Sequence, residues 1–180
     1  MVQPLRTQPW TFDETAELPD RLGLRYEVVD GALVVGPPVT FPHARACMRL
    51  LLQVAPQLPP EWEVIAEAAI RLGTDGRRPD GCVVRRDARV PGRQVGAGPE
   101  QFAMVLEVVS PSSRKNDRFF KPREYAEAGV PVFWRLEPEP EPRLHVLSLV
   151  DGAFQEVQVL QGRARARVPF GLDVDLDALF

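Results

Sequence analysis

Apolar residues follow two rhythms along this chain. The runs RYEVV (25–29) and ALVV (32–35) flank Asp30-Gly31, the pattern of two strands joined by a two-residue hairpin turn. RLHVLSLV and AFQEVQVL flank Asp151-Gly152 in the same way and predict a second hairpin. Between them the period lengthens. PHARACMRLLLQVAPQL (42–58) predicts a helix with Ala44, Cys47, Met48, Leu51, Leu52 and Ala55 on its core face, stopped by Pro59-Pro60. EWEVIAEAAIRL (61–72) predicts one kinked strand and CVVR (82–85) a short one. FAMVLEVVS (102–110) is almost continuously apolar, as suits a strand covered on both faces, and Ser110-Pro111 stops it.

Punctuation residues supply the rest. TFDE (11–14) is a capping-box pattern and predicts a short helix ending near LPDRLG (18–23). RRDARVPGRQVGAGPEQ (85–101) is a polar surface loop, and SSRKND (112–117) is a polar turn. FKPREYAEAG (120–129) is a short helix with Pro122 in its first turn and Gly129 just past its end. VPVFWRL (130–136) is a strand, and EPEPEP (137–142) is a rigid acidic connection. Alternating strands and helices between terminal hairpins imply an α/β fold, a mixed sheet with helices against it. No repeat or domain boundary interrupts the 180 residues, so one domain, 1–180, is expected.

Composition narrows the setting. The apolar share of 44% and charged share of 26% are those of a globular protein in water. No apolar run is long enough to cross a bilayer, and the first residues lack a signal-peptide core, so a cytoplasmic protein without membrane contact is expected. Cys47 and Cys82 have no metal-site or disulfide spacing and read as buried hydrophobes. The net charge of -3 is unevenly spread. Residues 71–123 hold twelve Lys/Arg against six Asp/Glu, a net of +6, leaving -9 for the remainder. A basic middle suggests an anionic partner met at one place; a set of solvated loop arginines explains it equally well.

One residue breaks the apolar pattern where it matters most. Glu107 sits inside MVLEVV, and a carboxylate there is costly unless paired. Asp80 follows Pro79 just before the strand at 82–85, so adjacent strands would bring the two acids to one sheet edge. Two close carboxylates do not both ionise unpaired; a Mg²⁺ ion with oxygen ligands resolves the conflict, and a nearby lysine can orient or deprotonate water. Metal, lysine and arginines together suit phosphodiester hydrolysis. From the pattern alone the plainer alternatives stand: a turn or capping aspartate at 80, and a glutamate paired with an arginine at 107.

The order RYEVVDGALVV, His43 at a helix start, RPDGCVV, then VLEVVSPSSRKNDRFFKPREYAEAGVPVFW resembles the Uma-two family of restriction endonucleases, from Arg25 to Trp134. That family lies in the PD-(D/E)XK nuclease superfamily, so the resemblance implies a restriction-endonuclease-like mixed β-sheet flanked by helices. It implies metal ligation by Asp80 and Glu107, with the Val108 carbonyl as a third ligand, and Mg²⁺ or Mn²⁺ as cofactor. The superfamily lysine would fall at 109, where this chain has Val109. The resemblance moves that role to Lys121, with Lys115, the only other lysine, as rival. Glu27 and His43 match family positions and stand as additional candidates, while Arg114 and Arg118 are candidates for substrate phosphates. Tyr125 is expected to pack in the core. The implied activity is metal-dependent cleavage of DNA by a homodimer, one site per strand. Two alternatives remain: a catalytically silent module of this fold that binds nucleic acid or a protein, and a phosphoester hydrolase acting on small substrates.

Overall fold

The computed structural model describes residues 8–19 and 24–180. Strand β1 (Arg25–Val29) and β2 (Ala32–Gly36) form the expected hairpin, with Asp30 and Gly31 both at positive φ, 49° and 69°. Helix α1 (Phe41–Val54) follows, then β3 (Trp62–Ala66), β4 (Ile70–Leu72), β5 (Asp75–Arg77), β6 (Gly81–Arg85) and β7 (Phe102–Val108). Helix α2 (Lys121–Glu127) leads to β8 (Val132–Glu137), and β9 (Arg143–Val150) and β10 (Ala153–Leu160) make the second predicted hairpin. β11 (Arg163–Ala166) and β12 (Leu172–Asp175) follow, a hairpin the sequence did not announce, before a final 3₁₀ turn, Asp177–Leu179.

Six strands form one sheet in the order β10-β9-β8-β7-β6-β3. Only β7 and β8 run parallel within it; α2 makes that crossover, so the sheet is mixed. A smaller antiparallel sheet has the order β2-β1-β5-β4. The large sheet is covered on both sides. Ala46, Cys47, Leu50, Leu51 and Val54 of α1 pack with Met104, Leu106, Trp134 and the β11–β12 hairpin on one face. Tyr125 of α2 packs with Val105 and Phe133 on the other. All seven residues of β7 are buried, as its apolar run implies.

Three local expectations need correction. The buried stripe of α1 is rotated from the predicted one: Met48 is 47% and Leu52 63% exposed, and Ala44 is exposed. Apolar residues lie on both flanks of this helix, and the unanticipated β11–β12 hairpin decides which flank is covered. Gln53 on α1 and Gln57 in the 3₁₀ turn that follows it (Ala55–Gln57) each exchange two hydrogen bonds with the backbone of β12, at Asp175 and Asp173 respectively. The kinked strand at 61–72 is two strands in different sheets. Glu67, with φ of 53°, makes the break, and its N–H donates to the Asp80 carbonyl (3.2 Å).

The third correction concerns SSRKND. The chain is already helical from Arg114, and Asn116–Phe120 form a π-helical turn that runs straight into α2. Pro122 still lies in the first turn of α2. Near the other terminus the Thr11–Glu14 capping box forms as predicted and opens a 3₁₀ helix, Phe12–Glu17; the predicted end of that helix falls partly on 20–23, outside the described residues. Phe12 is fully buried against β5, where a Cβ on Gly76 would sit 2.0 Å from its ring, so only glycine fits there. Among the described residues no helix is long and apolar enough to cross a membrane.

Candidate functional site

A cleft of about 580 Å³ opens between the β1–β2 hairpin with its exit, 36–40, and the Ser110–Ser113 turn with the helix after it. Asp80, Glu107, Lys121, Glu27 and His43 all line it. The topology explains the convergence. β6 and β7 are antiparallel neighbours, with Gly81 opposite Leu106, so the residue before β6 lies beside the end of β7. The crossover from β7 to β8 then lays Lys121 over the same strand end.

Asp80 is 4% exposed and is held by two donors, with His43 beside them. Arg25 Nη1 donates to Oδ1 (2.9 Å), and the Val108 N–H donates to Oδ2 (2.8 Å). His43 Nε2 lies 3.0 Å from Oδ2 without an aligned hydrogen bond. Burial works against the charged form. The His43 contact and charge, the Lys121 charge and the Val108 N–H outweigh it, and Asp80 sits below the usual carboxylate range. Val108 thus meets Asp80 through its N–H.

Glu107 is fully buried. Its Oε2 accepts from Lys121 Nζ (2.7 Å) and its Oε1 from the Tyr125 hydroxyl (2.8 Å). Burial pushes its pKa up to about 8; Lys121 pulls against that, while Asp80 and Asp117 push further up. The partner of the buried glutamate is therefore a lysine and a tyrosine, not an arginine. Tyr125 is a core residue, as expected, but its hydroxyl is committed to the site. Lys121 also lies 3.1 Å from Asp117 Oδ1. Burial disfavours its charge, but Glu107 and Asp117 outweigh this and raise it above the ordinary lysine value. As an ammonium it can orient water or stabilise anionic charge.

Other candidates fare differently. Glu27 lines the cleft, yet its carboxylate accepts from Arg77 Nη1 and the Arg78 N–H (both 2.9 Å). Arg77, itself buried, grips Glu124 of α2 with two further bonds, which ties the small sheet to that helix. Lys115 lies outside the cleft, exposed, with its ammonium 5.4 Å from the Phe120 ring centroid. Arg118 also faces away and is gripped by Glu137 through two bonds (2.8 and 2.7 Å). The reason is helical phase: Asp117 and Lys121 share the cleft-facing side, and Arg118 is turned about 100° from Asp117. Arg114 is exposed and is not among the residues lining the cleft.

Sequence reasoning missed Arg25, Asp117 and Ser113. Arg25 comes from the other sheet, and nothing local predicts its reach. Asp117 and Ser113 did leave a signal, because Ser113, Asp117, Lys121 and Tyr125 recur at intervals of four. Treating 112–117 as a turn hid that helical face.

Among the described residues no group of three or more His, Cys, Asp or Glu is arranged to hold a metal ion. The donor chemistry nonetheless fits a hard cation: Asp80 and Glu107 offer oxygens in one cleft, and such an ion completes its shell with waters and phosphate. Three buried acids, Asp80, Glu107 and Asp117, face Arg25 and Lys121, and Glu107, lifted to about 8, is the acid whose ionisation a bound cation would favour.

The fold is shared with a solved structure. A crystal structure described as "a putative nuclease belonging to DUF820" from Anabaena variabilis ATCC 29413 matches with a TM-score of 0.72 at 19% identity, covering 96% of this chain and 98% of that one. No curated protein matches the chain. The model of the Uma-two (Uma2) family, described as "Putative restriction endonuclease", matches residues 12–178. The chain shares a restriction-endonuclease-like mixed sheet with that solved structure, and with nearly its whole length matched it belongs to the Uma2 family.

Proposed function

We propose that the protein is a metal-dependent endonuclease that hydrolyses DNA phosphodiester bonds, acting in the cytoplasm as a homodimer with one site per strand. The observation that carries this reading is the cleft in which the Asp80 and Glu107 carboxyl groups and the Lys121 ammonium meet. Asp80 and Glu107 would hold Mg²⁺ or Mn²⁺, which when bound supplies Lewis-acid stabilisation of the phosphoryl oxygens and an activated water. Arg25 and the Val108 N–H hold Asp80 in its ionised form. Tyr125 fixes the rotamer of Glu107 from the core side. Lys121, pinned as an ammonium, orients the attacking water and balances charge that develops on the phosphate.

A second reading has its own support. Every carboxyl oxygen of Asp80 and Glu107 already receives a donor from within the chain, as expected of a catalytically silent module that binds nucleic acid or a protein. Incubation with plasmid DNA and Mg²⁺ or Mn²⁺ separates the two. Nicking or linearisation by the wild type is expected, with at least a 100-fold loss in Asp80→Ala, Glu107→Ala and Lys121→Ala. Cleavage that survives Asp80→Ala overturns the site; DNA binding with no cleavage under either metal favours the module.

A further inference from the structure

We propose that Asp117 is a positioning residue for Lys121, and that with Ser113 and Ser110 it ties the helix carrying the lysine to the strand end carrying Glu107. The inference rests on reading Lys121 as the lysine of the site. Position 109, where a strand lysine would stand, is Val109, which is buried. The lysine used instead comes fourteen residues after Glu107 and from another element, so its placement relative to Glu107 has to be built by other contacts.

Those contacts form a continuous chain. Ser110, just past the end of β7, exchanges hydrogen bonds with Ser113: its N–H donates to Ser113 Oγ (3.0 Å), and the Ser113 N–H donates to Ser110 Oγ (3.2 Å). The two hydroxyls are 2.8 Å apart. Ser113 Oγ donates in turn to Asp117 Oδ2. Asp117 Oδ1 faces Lys121 Nζ at 3.1 Å, and the same ammonium donates to Glu107 at 2.7 Å. The path thus leaves the strand end, passes through the helix and returns to the strand glutamate.

Asp117 has no other evident task. It is 1% exposed and meets no arginine among the described residues. It is not a cap, because its N–H donates to the Ser113 carbonyl (2.9 Å) inside the helical run. Its Oδ1 is buried and receives no aligned hydrogen bond, so the Lys121 charge is what compensates it. From the lysine's side, one ammonium donor is directed at Glu107 and a second carboxylate, that of Asp117, lies 3.1 Å from the nitrogen. Without Asp117 a long, flexible side chain would be fixed at one point only.

The chain contains only Lys115 and Lys121, which makes the test direct. Protein carrying ¹⁵N-lysine shows at most two ammonium signals, and the buried, doubly held one is Lys121. We expect its protons to exchange slowly with water in the wild type and at least tenfold faster in Asp117→Asn. Exchange that is unchanged in Asp117→Asn overturns the proposal. Ser113→Ala removes the donor that orients Asp117 without altering any charge and carries the test should Asp117→Asn fold poorly; an intermediate acceleration is expected, and none overturns the proposal. In plasmid cleavage Asp117→Asn should lower kcat at least tenfold with KM within twofold, and a loss confined to KM counts against it. The exchange measurement needs no activity, so it decides the role of Asp117 even in a protein that cleaves nothing.

Discussion

Asp80 is held as a carboxylate by an arginine, a histidine and a backbone N–H, and that arrangement links its protonation to stability. Its folded-state pKa is depressed despite burial, by His43, Lys121 and the Val108 N–H. A depressed carboxylate contributes stability above its unfolded value of about 4, and that contribution is lost as pH falls below it. Asp80→Asn should therefore cost about 2–3 kcal/mol at pH 7, and the gap to wild type should close progressively below about pH 4. Denaturant melts from pH 3 to 8 measure this; a gap independent of pH would mean the charge of Asp80 is not what its partners stabilise. Glu107 behaves oppositely, because burial dominates and lifts it to about 8. Both acids were legible in the sequence, Glu107 as a charge interrupting an apolar strand and Asp80 through the family pattern. Their partners were not: Arg25 lies 55 residues from Asp80 and in the other sheet, a relation fixed only by tertiary packing.

The helical run from Arg114 to Glu127 shows how an element's shape sets the site. Ser113, Asp117, Lys121 and Tyr125 step by four, and at 3.6 residues per turn each step overshoots by about 40°, or roughly 120° over three. The π turn at Asn116–Phe120, where the Lys121 N–H donates to the Asn116 carbonyl, is wider and takes back part of that drift. Pro122 accounts for its position. It has no N–H to return to the preceding turn, and its ring crowds the carbonyl four residues earlier, a clash the wider turn relieves. Pro122→Ala should let the turn tighten toward α-helix, leaving Tm within a few degrees of wild type or higher while cleavage falls between about 10- and 100-fold. Equal losses of Tm and activity would instead assign Pro122 to folding alone. Propensity revealed that a helix ends just before Gly129, which has φ of 84°, but not where it begins, because a proline in mid-run reads as a start. The phase of α1 was lost for a similar reason: Leu50 and Leu52 are equally apolar, and only the β11–β12 hairpin decides between their flanks.

At the scale of the whole molecule, the charge map changes on folding. The twelve cations of 71–123 suggested one basic surface, but the acidic remainder of the chain has folded onto many of them. Arg71 pairs with Asp13, Arg77 with Glu27 and Glu124, Arg86 with Glu63, Arg118 with Glu137, and Arg123 with Glu127. Arg85 pairs with Asp87, and Lys121 is engaged in the cleft. The other five, Arg78, Arg89, Arg93, Arg114 and Lys115, show no ion pair among the described residues, and they do not share a face. Arg89 and Arg93 lie on the loop beyond Arg85, the opposite end of β6 from Asp80 and roughly 15 Å of strand away. Arg114 and Lys115 open the helical run beside the cleft. Binding of the proposed DNA substrate therefore engages few phosphates, and log K against log[salt], measured in chelator to prevent cleavage, should have a slope of about -2 to -3. Twelve free cations on one surface would give about -11. A slope steeper than about -6 would show that DNA opens the internal pairs, and the acidic regions would then act as a charge-matched cover that the substrate displaces.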